Sequence, residues 1–427
     1  MKTQIPSIRM NEGEPNDSFR FDLVAGYVRN FRRFQLADRT DLLVNGSETF
    51  TAMLDAIDDA KKFIDLETYI LRSDRTGWMF QKALIKAAKR GVKVRLLYDY
   101  IGSLGLSERF VREMVEAGVE VRVYHPLIWI RPTWAINQRD HRKLMIVDGQ
   151  YVFTGGINIS NDFVSREEGG GGWRDTHIRI EGSMVADWAE QLYDYVWRKA
   201  TAYHETTTPG SKLKAGFRRR FKKPMTIESL ASMGGNIYDE LRRNKKIAVQ
   251  LIGNREVHRR KSIRSAYIHA INRAQRYVLI ENAYFIPDRY IRDVLAKAVL
   301  RGVQVSVVVA RNTDVPIAGY ASRAMYSQLL KSGVRIFEWP KDMMHAKTAV
   351  IDDVWSVVGS FNLDHRSLRY QLELVAVVAD PSFAKKLRQQ TVMDIEKCEE
   401  LTLERHEKRP WYERLLESIA YKFRYWL

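Results

Sequence analysis

A single cysteine, Cys398, stands among 427 residues, so no internal disulfide can form, and the chain suits a reducing, cytoplasmic setting. Long apolar runs are missing as well. A stretch such as Val303 to Ala310 breaks off far short of the roughly 20 residues that a membrane-spanning helix requires. The first residues, MKTQIPSIRMNEGEPND, have no apolar segment of the kind a secretory signal carries. Acidic residues are in deficit, 52 against 69 basic, and the resulting charge of +17 implies a phosphate-rich partner, either nucleic acid or an anionic membrane surface. Metal-ligand spacings are absent too. No His-Glu-x-x-His and no Cys/His cluster occurs, so the sequence asks for no metal and no cofactor.

What is present occurs twice. DHRKLMIVD (140 to 148) and MHAKTAVID (344 to 352) share one frame, in which His is followed two positions later by Lys and five positions after that by Asp. AIDDAKKFIDLETYIL (56 to 71) parallels AINRAQRYVLIENAYFI (270 to 286), aligning Glu67 with Glu281. LIKAAKRGVKVRLLYD (84 to 99) parallels LAKAVLRGVQVSVVVA (295 to 310), and VREMVEAGVEVRVYHP (111 to 126) parallels YSQLLKSGVRIFEWP (326 to 340). Each pair reads as a helix running into a buried strand, and in the last two pairs the junction is Gly-Val. The blocks keep their order in both halves, which predicts two related α/β domains in tandem. The expected boundaries are an N-terminal domain over 1–203, a basic linker over 204–240, a C-terminal domain over 241–390 and an amphipathic tail over 391–427.

The doubled motif has a chemical use. On an extended strand His141 and Lys143 point from one face, as do His345 and Lys347. Asp148-Gly149 is a hairpin signal, and the returning strands lead to Gly155-Gly156-Ile-Asn158 and Gly359-Ser360-Phe-Asn362. Two ammonium groups and two carboxamides facing each other across a pseudo-twofold axis would hold the free oxygens of a phosphodiester. One imidazole would then attack phosphorus while the other serves as acid and base. Chance predicts about 0.04 copies of such a motif in a chain of this length, so two copies at matching places are not accidental.

HRKLMIVD and HAKTAVID resemble the paired signature of the phospholipase D superfamily, and the likeness runs over roughly residues 40 to 390. The flanking text, including VFTGGINIS, WRDTHIRIEG, ENAYFIPD and VWSVVGSFNLDHRSL, is similar to bacterial cardiolipin synthases of the form without N-terminal transmembrane helices. The resemblance implies a sandwich-like α/β fold in each half, with one shared site at a pseudo-twofold interface. It implies transfer of a phosphatidyl group to phosphatidylglycerol through a phosphohistidine, with His141 as nucleophile and His345 as acid and base. Water as acceptor, in a phospholipase D or a nuclease, is the alternative.

By the same resemblance Lys143, Lys347, Asn158, Ser360 and Asn362 bind phosphate, and Asp175 and Glu373 orient the opposing histidines. Asp148 and Asp352 complete the catalytic motifs with a structural role at the turns. Gln371 departs from the asparagine that often stands there. The implied partners are phospholipids, namely phosphatidylglycerol or phosphatidylethanolamine, and an anionic membrane surface rather than nucleic acid. The implied location is peripheral, on the cytoplasmic side of the inner membrane. Two segments read as possible membrane contacts or as packing: the tryptophan-bearing HPLIWIRPTWAINQRD (125 to 140), and the C-terminal stretch with Trp411, Leu415, Ile419, Phe423 and Leu427 at helical spacing. EEGGGGW (167 to 173) reads as a mobile loop.

Overall fold

The computed structural model describes residue 24 and residues 26–126, 137–203, 246–254, 262–340 and 342–425. The segment 127–136 and the linker 204–240 therefore lie outside the described residues. In the first half the strands are β1 (Gln35–Ala37), β2 (Arg39–Val44), β3 (Phe63–Thr68), β4 (Lys93–Asp99), β5 (Glu120–Tyr124), β6 (Leu144–Val147), β7 (Tyr151–Gly155), β8 (Thr176–Glu181) and β9 (Thr201–Ala202). The second half contributes β10 (Ile247–Gly253), β11 (Tyr277–Asn282), β12 (Gln304–Ala310), β13 (Arg335–Trp339), β14 (Lys347–Ile351), β15 (Trp355–Gly359), β16 (Leu374–Ala379) and β17 (Glu399–Leu401).

One sheet runs β2-β8-β7-β6-β3-β4-β5-β9 and the other β1-β10-β16-β15-β14-β11-β12-β13-β17. Apart from β1 the two orders superimpose strand for strand, so the internal repeat seen in the sequence is a repeat of topology. In each sheet three strands are parallel (β3, β4, β5 and β11, β12, β13), and the remaining pairings are antiparallel. The α/β tandem expected from the sequence is the fold observed. The chain also crosses between its halves: β1 pairs with β10 in the second sheet, and β17, from the tail, closes that sheet beside β13.

The Gly-Val junctions explain how each helix feeds its strand. Gly91, Gly118, Gly302 and Gly333 all have φ between 84° and 93°, a left-handed conformation that stops a helix and that only glycine adopts without penalty. The following valine amides then return to the last turn, as Val92 does to the carbonyl of Ala87 at 3.2 Å.

Strand alternation divides the core. In β6, Leu144 and Ile146 face a central apolar layer that also takes in Val350, Val358 and Val378 of the second half. Met145 and Val147 face the outer layer under the helices Asn45–Asp59 and Arg75–Lys89. The central layer is filled out by two helices, Ser183–Trp197 through Val185 and Ala189, and Pro381–Ile395 through Phe383 and Leu387. The halves therefore share one apolar core at their contact.

The C-terminal helix Trp411–Lys422 resolves into two faces. Ala420 is buried with Ile286 and Ala321, while Trp411 (70% exposed), Leu415, Ile419 and Phe423 point outward. The glycine-rich loop is pinned. Gly170, Gly171 and Gly172 donate to the carbonyls of Ser165, Asn161 and Val164 at 2.8–2.9 Å, and Arg166 pairs with Asp342 of the other half. Backbone hydrogen bonding thus replaces the mobility that four successive glycines suggest. Among the described residues no helix is long and apolar enough to cross a membrane.

Candidate active site

Both His-x-Lys segments approach the same end of the sheets. β6 runs antiparallel to β3, so His141 and Lys143, just before β6, lie at the C-terminal end of β3 and beside Asp99, the last residue of β4. Sheet ends of this kind are where α/β folds place their ligands. Asp99 fixes the segment by accepting the amide of Asp140 at 2.9 Å.

Two short parallel bridges join the halves at this point. Asp140 pairs with Leu372 and Arg174 pairs with Met344, with His141 N donating to Leu372 O at 2.9 Å and His345 N donating to Arg174 O at 2.7 Å. The residues following Leu372 and Arg174 are Glu373 and Asp175. Each bridge therefore sets a histidine of one half beside a carboxylate of the other. Nδ1 of His141 lies 3.1 Å from both oxygens of Glu373, and Nδ1 of His345 lies 2.6 Å from Oδ2 of Asp175.

The electrostatics are those of a buried, mixed-charge site. Burial first, then the nearby Lys143, Lys347 and His345, hold the pKa of His141 well below its ordinary value. His345 is lowered for similar reasons, by burial and Lys347, against the opposing pull of Asp175. That His141 senses Lys347 and His345 puts both motifs in one electrostatic site. Burial pulls the lysines down to about 7 for Lys143 and about 8 for Lys347. The carboxylates differ. Burial raises Glu373 to about 7, whereas at Asp175 the charges of His345 and Lys347 outweigh burial and keep it below the usual range. Each lysine Nζ donates to the carbonyl of its own motif histidine, at 2.6 Å for Lys143.

The other expected site residues take several places. Asn158 is buried, and its Oδ1 accepts the amide of Ile70 at 3.0 Å; Asn362 is buried with Oδ1 unpartnered among the described residues. The hydroxyl of Ser360, expected at the phosphate, instead donates to Oε2 of Glu373 and accepts the amide of Leu374 at 3.0 Å. It supports the carboxylate that holds His141. In the first half the matching residue is Gly156, where a Cβ would stand 2.2 Å from Oδ1 of Asp175. Gln371 accepts the hydroxyl of Ser367 at 3.1 Å.

The motif aspartates belong to the framework. They lie at the opposite end of β6 and β14, in turn positions with φ of 55°. Asp148 accepts the amides of Lys61, Lys62 and Phe63 at 2.7–2.9 Å, and Asp352 accepts those of Gln275, Arg276 and Tyr277 at 2.7–3.0 Å together with Tyr27 Oη at 2.6 Å. They clamp the chain where β3 and β11 begin.

Several neighbours were not legible as site residues. The ring of Tyr69 stands 4.9 Å from that of His141 and 5.2 Å from Nζ of Lys143. Phe163 and Trp173 stand 5.5 and 5.4 Å from His345. Beneath the motifs, Arg142 binds Glu67, and Arg174 binds Asp394 near Glu281, two related buried ion clusters. The alignment of Glu67 with Glu281 was the signal for these clusters; for the aromatic rings the sequence offered none.

Comparison with known proteins gives a consistent picture. The chain matches the family described as Cardiolipin synthase, PLD-like domain over residues 53–197 and 267–394, one match in each half, and the family described as Phospholipase D over residues 160–296. It is 30% identical over 425 residues to the major cardiolipin synthase ClsA of Bacillus subtilis, covering 98% of this chain and 83% of that protein. It is 32% identical over 396 residues to cardiolipin synthase 2 of Bacillus anthracis, covering 90% and 72%. Among solved structures, the phosphatidylserine synthase of Haemophilus influenzae shares the fold, with a TM-score of 0.67 at 16% identity over 91% of this chain and 94% of that one.

Proposed function

This chain belongs to the phospholipase D superfamily as a phosphatidyltransferase of its cardiolipin synthase family, and from that premise we propose that it moves a phosphatidyl group from phosphatidylglycerol or phosphatidylethanolamine to the glycerol headgroup of a second phosphatidylglycerol. His141 is the nucleophile. Its Nε2 attacks phosphorus, a P–N bond forms, and the bond to the departing headgroup oxygen breaks as His345 gives that oxygen a proton. His345, now neutral, takes the proton from a primary hydroxyl of the acceptor, whose oxygen attacks phosphorus, breaks the P–N bond and leaves cardiolipin.

One observation carries this reading: each imidazole is held at Nδ1 by a carboxylate from the opposite half. A carboxylate at Nδ1 fixes the tautomer that leaves Nε2 free to react. The unequal carboxylates support the division of labour. His345 faces Asp175, which keeps its charge and pulls the histidine's pKa up against burial and Lys347, whereas His141 is held well below its ordinary value and so neutral, as a nucleophile must be. Lys143 and Lys347 are the cations for the phosphate oxygens.

The enzyme works on the cytoplasmic face of the inner membrane as a peripheral protein. The charge of +17 and the outward residues Trp411, Leu415, Ile419 and Phe423 support that setting. The test incubates purified protein with phosphatidylglycerol vesicles and, separately, with plasmid and single-stranded DNA. Cardiolipin forms with the wild type and is lost with His141→Ala or His345→Ala. DNA cleavage without lipid turnover overturns the assignment.

A further inference from the structure

A cavity of about 410 Å³ lies between the start of the helix Arg289–Leu300, the short helix His365–Arg369 and the end of the C-terminal helix. None of the motif residues lines it. Its walls hold five arginines (264, 289, 292, 369 and 424) and one carboxylate, Asp288. That carboxylate is already committed, pairing with Arg264 and accepting the amide of Ile291 at 3.0 Å.

Arg369 and Arg424 have no acidic partner among the described residues. They are held by aromatic rings instead: Arg369 lies 4.8 Å over Tyr425, and Arg424 lies 4.3 Å over Tyr421 and 4.4 Å over Tyr425. Nε of Arg264, Nε of Arg292 and Nδ1 of His365 are buried with no hydrogen-bond partner among the described residues. Guanidiniums layered on tyrosines are oriented in advance for a planar or tetrahedral oxyanion and lose little freedom on binding one.

We propose that this cavity is a second, non-catalytic phosphate site and that a phospholipid headgroup fills it. The lipid source rests on the proposed function; the phosphate chemistry does not. The helix Trp411–Lys422, whose last turn holds Tyr421 and which Arg424 follows, also carries the exposed Trp411, Leu415 and Ile419, with Phe423 exposed at its end, so an apolar surface for acyl chains adjoins the cationic pocket. On the short helix, His365 and Arg369 face this cavity, while Arg366 contributes to the field at His141.

Hydrogen–deuterium exchange of the full chain tests the proposal, with short-chain phosphatidylglycerol below its micelle concentration in one titration and inorganic phosphate in another. Residues 365–369 and 421–425 become protected, and the midpoint weakens about tenfold or more in Arg369→Gln/Arg424→Gln. Lys82→Gln/Lys89→Gln, which removes equal charge from the other half, leaves the midpoint unchanged. Protection by lipid alone identifies the headgroup as the source, and protection by phosphate equally well keeps the site with free phosphate as its ligand. His141→Ala retains the protection even though turnover is lost, which separates this site from the catalytic reading. No protection of the wild type by either ligand, or equal weakening in the lysine variant, overturns the proposal.

Discussion

Both carboxylate oxygens of Glu373 lie 3.1 Å from Nδ1 of His141, which is 232 residues away along the chain. Glu373→Gln keeps the shape and removes the charge, so the imidazole loses both its fixed tautomer and the stabilisation of any positive charge. The expected result is a fall in kcat of about 10² to 10⁴ with little change in KM. Steady-state cardiolipin formation measures it, and an unaltered kcat refutes the orienting role.

Ser360 donates its hydroxyl to that same carboxylate. Removing a donor from a carboxylate disfavours its charged form, so Ser360→Ala moves Glu373 further above about 7. The acid limb of the kcat profile therefore shifts to higher pH. A profile that stays in place shows that the hydroxyl does not tune Glu373.

Lys143 and Lys347 titrate at about 7 and about 8 because burial disfavours their charged forms. As pH rises through this window the free enzyme loses the cations proposed to receive phosphate. kcat/KM, which reports free-enzyme ionisations, falls on the alkaline side between about pH 7 and 8. A limb near pH 10 contradicts this.

The same shift makes Lys143 a cost to stability. Its folded pKa lies below the unfolded value of 10.5, so the cost is full below about pH 7 and fades as pH approaches 10.5. Lys143→Met is expected to stabilise the fold by about 1–3 kcal/mol at neutral pH while abolishing activity. Urea unfolding at pH 7 and at pH 10 checks both the gain and its decline.

Asp148→Ala deletes the acceptor for three backbone amides far from the histidines. Stability drops by about 1–3 kcal/mol, and more for Asp352→Ala, which also strands the hydroxyl of Tyr27. Activity per folded molecule stays near that of the wild type. A selective loss of kcat without loss of stability returns these aspartates to the catalytic set.

Much of the architecture was legible because it is written in local periods. The four Gly-Val junctions, the β-rich run of β6 and the turn after Val147 are short-range features, and their duplication foretold a duplicated topology. The crossing of β1 into the second sheet was not legible, since a three-residue strand has no period to read. Phe163, Trp173 and Tyr69 pass for ordinary core aromatics until the chain is folded, because contact with a histidine leaves no trace in spacing. The bond made by Ser360 was hidden for a related reason. The residue's place in the motif fits a phosphate ligand, but the bond it makes depends on how Glu373 approaches across the β15–β16 pair.

The sequence by itself determined which reactive groups the protein owns and that it owns them in two matched sets. It determined the succession of helix, turn and strand in each half as well, through Gly-Val junctions and hairpin turns that need only neighbouring residues. The service of each histidine by a carboxylate of the other half was implied by resemblance, but no local pattern encodes it and only the tertiary structure brings it about. Contacts of 3.1 and 2.6 Å between residues 232 and 170 positions apart arise only when two short parallel bridges and a shared apolar layer lock the halves together.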